Sequence, residues 1–378
     1  MTTGARGALH SRVLPILDRR TFVSLGLYAS LTLSTSLQLT FGPEATLRLA
    51  DYYTRDAASR DENFRSWYPD FGSLANDGPA AQALQHGELW KFSSLWGDAA
   101  YYVRQATHPE QSVPPYKYRF LPTTIVGALH QSTQLSVEAV FVIFNVLVSV
   151  LSALLFEIHL AQHFGFARVT SVLGGCLFIT STAITGTLAF PMLEPASALC
   201  SCLLFMAAYS RNALGFACAA LAAVATKEIL AFAGLLWWLH RENHESKWAS
   251  ALMAAIPVIA FGAYRLLLGG SAIEVNYGYN VLDGQFPAYG QRLFGLRSGA
   301  GLLVQIFLAF AFIWTGLLNA LQHPLLRRSL PVVPLVLFAS VLLSSRITRV
   351  IGVLYPIVIP AFLLYFDVGT AKAKTERA

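Results

Sequence analysis

Long apolar runs broken by short polar connections organise this chain. They fall at about 21–41, 136–160, 170–190, 194–210, 213–225, 229–240, 249–269, 300–321, 330–343 and 350–366. A helix crossing a bilayer core needs roughly 20 apolar residues, so the pattern predicts an all-α integral membrane protein. The expected architecture is a single polytopic domain over 1–378, a bundle of about ten transmembrane helices. The stretch from Asn212 to His240 is either one tilted helix or two short ones turning at Thr226-Lys227-Glu228. Two are expected, because a single helix would leave a Lys-Glu pair near mid-bilayer.

Charge fixes the orientation of this bundle. Arg6, Arg12, Arg19 and Arg20 precede the first run, which places the N-terminus in the cytoplasm. Alternate crossings then put Arg168, Arg211, Arg241, Lys247, Arg327 and Arg328 inside, together with the basic tail 367–378. Residues 42–135 form a large first outer loop, and ten of the 21 acidic residues lie in it. A second outer loop, 270–299, is rich in glycine and aromatics. Asp18-Arg19-Arg20-Thr21-Phe22 has the look of a twin-arginine export signal, but no small-residue cleavage site follows, so the segment is expected to stay as a signal anchor. The expected location is the inner or plasma membrane of a bacterium, with both termini cytoplasmic.

Composition agrees: 55% of residues are hydrophobic and 13% charged, against roughly 25% charged in an ordinary soluble domain. The net charge of +6 is scattered over several connections rather than gathered in one patch, which argues against nucleic acid as a partner. Cys176, Cys200, Cys202 and Cys218 all lie in apolar runs and read as small buried hydrophobes. No HExxH, no CxxC pair and no phosphate-cradling glycine loop is present, so no metal ligands are assigned, although a divalent metal is compatible with the chemistry below. The pairs His159/His163 and His240/His244 sit at expected helix ends, where a cation-capable residue suits the helix dipole.

The first outer loop holds the most informative segment. Trp96-Gly97-Asp98-Ala99-Ala100-Tyr101-Tyr102 is followed by Pro114-Pro115-Tyr116-Lys117-Tyr118-Arg119-Phe120-Leu121-Pro122 and an apolar stretch too short to span. On composition alone this is an interfacial anchor. With Thr226-Lys227-Glu228, and with Arg349, Tyr355, Pro356 and Pro360 near the last run, the conjunction resembles the GT-C superfamily of polytopic glycosyltransferases. The resemblance implies an outer-face enzyme that takes sugar from a polyprenyl-phosphate carrier and transfers it, with inversion, to a lipid, glycan or protein acceptor.

The reaction's requirements match the inventory. Transfer to a hydroxyl needs a carboxylate base, and the departing lipid phosphate needs fixed positive charge. Asp98 is the leading base, with Asp51 and Glu194 as competitors. About fifty residues separate the first run from Asp98, longer than the family's usual spacing, which keeps Asp51 in contention. Arg119, Lys227, Arg346 and Arg349 are the candidate phosphate-binding cations. Tyr101, Tyr102, Tyr116, Tyr118, Tyr277 and Tyr279 are candidates for contacting substrate. Two other classes compete: a multi-pass transporter or lipid and glycan flippase, and a non-catalytic subunit of an envelope polysaccharide system.

Overall fold

The computed structural model describes residues 19–41, 98–112, 116–181, 184, 188, 191–269, 303–304, 306–343 and 350–375. These residues are helical, with no strand among them. In chain order the α-helices are α1 (Arg19–Phe41), α2 (Asp98–Thr107), α3 (Phe120–Thr133), α4 (Val137–Phe164), α5 (Arg168–Ile179) and α6 (Glu194–Tyr209). They continue with α7 (Ala213–Thr226), α8 (Ala233–Leu239), α9 (Lys247–Leu267), α10 (Pro324–Ser329), α11 (Val332–Leu343) and α12 (Tyr355–Thr375). Tight 3-10 turns cover Tyr116–Tyr118, Glu228–Phe232 and Ala311–Gln322. α4 and α9 are long and apolar enough to cross a membrane, and the other apolar helical runs are 10–17 residues.

Several boundaries differ from the sequence pattern. The run at 170–190 becomes a helix only as far as Ile179, and Thr180 takes its cap. The last helix continues through the expected tail to Thr375. The stretch at 212–240 is two short helices, as the parity of charges favoured. Lys227 adopts an extended backbone (φ −160°, ψ 127°), which stops α7 and starts the turn into α8. The chain then doubles back: the rings of Phe216 and Trp237 lie 4.6 Å apart, and Arg211 Nη1 donates to the Trp237 carbonyl at 2.9 Å.

The helices carry their apolar residues outward as well as inward. On α4, Ile143, Leu147 and Leu151 recur at every fourth position and are exposed, while Asn145, Ser149, Ser152 and His159 are buried. α9 repeats the arrangement, with Trp248, Leu252 and Leu266 exposed and Ser250 and Arg265 buried. A helix in water shows the opposite polarity.

Close approach between helices depends on small residues. A Cβ on Gly234 of α8 would lie 2.2 Å from the Ala254 carbonyl oxygen of α9, and one on Gly127 of α3 would lie 2.4 Å from the Ala106 carbonyl oxygen of α2. The large core cluster runs through most of the bundle. A smaller one joins Ala99, Tyr102, Val103 and Ala106 of α2 to Val126, Val140, Phe141, Met192 and Leu193. It seats α2 and α3 at the end of the bundle where α4 and α6 begin.

Candidate functional site

At that end, four buried charges and a tyrosine come together from three distant segments. Glu194 opens α6, where the helix N-terminus favours a carboxylate, and Pro195 follows in the first turn. Its Oε1 accepts from Lys227 Nζ at 3.0 Å. Next in sequence to Lys227, Glu228 turns the other way, and its Oε2 accepts from Arg119 Nε at 2.8 Å. Arg119 Nη1 also donates to the Tyr102 hydroxyl at 2.6 Å. The two neighbours at the hairpin turn therefore bind opposite partners rather than each other. Glu194, Lys227, Glu228 and Arg119 are all less than 10% exposed. Glu228 Oε1 is buried and meets no hydrogen-bond donor among the described residues.

The segment Tyr116–Tyr118 forms its 3-10 turn because Arg119 N–H donates to the Tyr116 carbonyl at 2.9 Å, just before Phe120 starts α3. α2 holds this turn. Gln105 Nε2 donates to the Lys117 carbonyl at 3.3 Å, Tyr101 stacks on Tyr116 with centroids 4.2 Å apart, and Tyr102 meets Tyr116 edge-on at 5.4 Å. Arg119 Cζ lies 5.7 Å from the Tyr116 centroid. From α9, Arg265 lies over Tyr118 at 4.7 Å, and Tyr264 meets Phe120 at 5.2 Å.

Of the residues singled out from the sequence, Arg119, Lys227, Glu194, Tyr101, Tyr102, Tyr116 and Tyr118 are therefore brought to one end of the bundle. Asp98 is the first residue of α2, four positions ahead of Tyr102. Asp51, Tyr277, Tyr279, Arg346 and Arg349, with Pro114 and Pro115, lie outside the described residues. Glu228, a member of the cluster, and Arg265, which lies over Tyr118 beside it, are not among the sequence candidates; the available signals are the carboxylate next to the candidate cation Lys227 and the lone arginine inside the apolar run at 249–269. Among the described residues, no group of three or more His, Cys, Asp or Glu is placed to hold a metal ion.

Such a cluster is hard to account for by stability alone. Buried ion pairs lose most of their attraction to desolvation, and apolar side chains of similar volume often serve the fold as well or better. Charge kept at this expense makes the cluster the candidate functional site.

The opposite end of the bundle is held by ordinary fastenings. Arg211 binds the Glu245 carboxylate and lies against the Trp237 ring at 3.7 Å. The Arg211 hydrogen bond holds the Glu245 carboxyl below the usual carboxylate range. His240 and Tyr209 both meet the Ser329 hydroxyl, at 2.8 and 2.9 Å. His159 packs among Phe156, Phe164 and Tyr209.

No protein-family model, curated protein or solved structure matches this chain.

Proposed function

We propose that this chain is an integral membrane glycosyltransferase of the GT-C type, a bundle of about ten spans with its site on the outer face. The exposed apolar faces of α4 and α9, with polar residues turned inward, support a lipid surround. The observation that carries the reading is the buried network of Glu194, Lys227, Glu228, Arg119 and Tyr102 at one end of an apolar bundle, with Asp98 four positions ahead of Tyr102.

The proposed donor is a polyprenyl-phosphate sugar, a phosphodiester with one negative charge. Asp98 takes the proton of an acceptor hydroxyl on a lipid, glycan or protein. The acceptor oxygen forms a bond to the anomeric carbon from the face opposite the phosphate, which inverts that centre. The bond from anomeric carbon to phosphate oxygen breaks, and its electron pair stays with the phosphate, leaving a lipid phosphomonoester.

Lys227 and Arg119 stabilise that developing charge, with Arg346 and Arg349 supplied by the connection at 344–349. Arginine offers five donors and lysine three, so each can hold a carboxylate and a phosphate oxygen at once. Glu228 Oε1 is an acceptor suited to a substrate hydroxyl. The tyrosines around Tyr116 supply rings at the level where a sugar would sit.

Transfer from a radiolabelled polyprenyl-phosphate sugar by the purified protein in lipid nanodiscs tests the reading. Asp98→Asn is expected to lower turnover by roughly 10²–10⁴-fold, the usual contribution of a general base. Near-normal turnover by Asp98→Asn together with loss in Asp51→Asn would move the base to Asp51. Passage of labelled substrate across proteoliposomes with no covalent change would replace the enzyme by a transporter.

A further inference from the structure

The residues on either side of Arg119 are gripped by one helix. Arg265 of α9 is 2% exposed, and its guanidinium lies over the rings of Tyr118, at 4.7 Å, and Phe261, at 4.5 Å. One residue earlier, Tyr264 meets Phe120 edge-on at 5.2 Å, and its hydroxyl donates to the Leu221 carbonyl of α7 at 3.4 Å. Adjacent residues of α9 thus hold positions 118 and 120, while Arg119 between them reaches Glu228 and Tyr102.

An arginine is a costly choice for this task. α9 is long and apolar enough to cross a membrane, and a charge inside such a helix is expensive where an apolar side chain would fill the same space. What an apolar side chain lacks is a planar cation that stacks on ring faces, an attraction that strengthens when both partners are out of water. Arg119 is the N-cap of α3, with a non-helical backbone (φ −100°, ψ 50°) and no capping hydrogen bond from its side chain. The direction of that side chain then depends on how residues 118 and 120 are held.

We infer that Arg265 and Tyr264 are positioning residues: by holding Tyr118 and Phe120, they aim Arg119 at Glu228 and Tyr102. The use of this clamp in the reaction rests on the glycosyltransferase reading, in which Arg119 is one of the cations that hold the lipid phosphate. Without the clamp Arg119 keeps its charge and loses its aim.

The coupling of Arg119 to Glu228 tests this without any sugar transfer. Melting temperatures of the full chain in nanodiscs are measured for Arg119→Met, Glu228→Leu and the two together, each in the wild-type, Arg265→Met and Tyr264→Leu backgrounds. In the wild-type background the two falls are expected to be non-additive, as for partners in contact. In the other two they should become additive. Arg211→Met and Glu245→Leu, at the opposite end, should stay coupled in every background, whereas side chains that merely stabilise the bundle would leave both pairs coupled.

Coupling of Arg119 to Glu228 that is absent from the wild-type protein, or undiminished in a background that folds, would overturn the inference and leave the glycosyltransferase reading standing. Tyr264 is only partly buried, so its variant is the milder one and decides the matter if Arg265→Met fails to fold. Transfer from labelled donor reads the consequence: kcat/KM should fall about tenfold or more in each variant, an order set by the sensitivity of catalysis to misplacement. Unchanged transfer with lost coupling would overturn the positioning role. No transfer by the wild-type protein would overturn the glycosyltransferase reading alone, since the coupling still shows whether α9 aims Arg119.

Discussion

At the scale of single residues, the cluster and the fastenings at the other end make different predictions. Removing one partner of a buried ion pair leaves the other uncompensated, at about 3–5 kcal/mol, whereas removing both is far milder. Lys227→Met is therefore expected to lower the melting temperature sharply, and Lys227→Met with Glu194→Leu to recover much of the loss. Equal, additive losses in a melting series would show that the pair is not coupled.

Glu245 behaves otherwise. Its carboxyl lies below the ordinary range because Arg211 donates to it, so the stability it contributes is present above the unfolded carboxylate pKa. That contribution disappears as pH falls through the lower folded value. The melting temperature of Glu245→Gln should lie below wild type at pH 7, and the gap should narrow progressively as both are acidified from about pH 5 and be gone by about pH 2. A gap that persisted there would contradict the assignment.

Much of this was readable in the residues themselves. Arg119, Lys227 and Glu194 stand out because charge is rare in so apolar a chain. Their pairing was not readable. Lys227 and Glu228 are adjacent and look self-neutralising, and only the extended backbone at Lys227 sends the two side chains to partners 33 and 109 positions away.

At the scale of elements, the site depends on α2 lying flush against α3. Gly127 permits this, since any side chain there would meet the Ala106 carbonyl. Gly127→Val is expected to push α2 away, breaking the reach of Tyr102 to Arg119 and lowering sugar transfer by tenfold or more, an order set by the sensitivity of catalysis to about 1 Å of misplacement. Gly26→Val in α1, with nothing within 4 Å of its added Cβ, serves as the control and should leave transfer unchanged. Similar transfer by both variants would show that the α2–α3 contact does not position the site.

The elements themselves were legible where the apolar runs were long. α4 and α9 follow the sequence pattern closely, and the 212–240 hairpin follows from charge parity. The end of α5 at Ile179 and the continuation of α12 to Thr375 were not legible. Hydropathy reports what a segment can lie against, while helix ends are set by caps and turns that it does not register.

At the scale of the whole molecule, the chain presents two unlike ends joined by helices whose outer faces are apolar. One end carries buried ion pairs drawn from the first long loop, from α6 and from the α7–α8 hairpin. The other carries Arg211–Glu245 and the Tyr209–Ser329–His240 contacts. No single segment contains the site. The Pro-Tyr-Lys-Tyr-Arg element supplies one cation, and the hairpin turn more than a hundred residues later supplies the other, so only the bundle assembles them.

In the proposed function a lipid-linked phosphate is held at the Glu194–Lys227 end. Photo-crosslinking settles it most directly: a polyprenyl-phosphate sugar carrying a photoreactive group beside the phosphate is irradiated with the full chain in nanodiscs, and the labelled peptides are mapped. Label is expected in the segments around 98–122 and 226–232, competed away by unlabelled donor and reduced in Lys227→Gln. Label concentrated instead around 159–168 and 240–250, at the Arg211–Glu245 end, would contradict it.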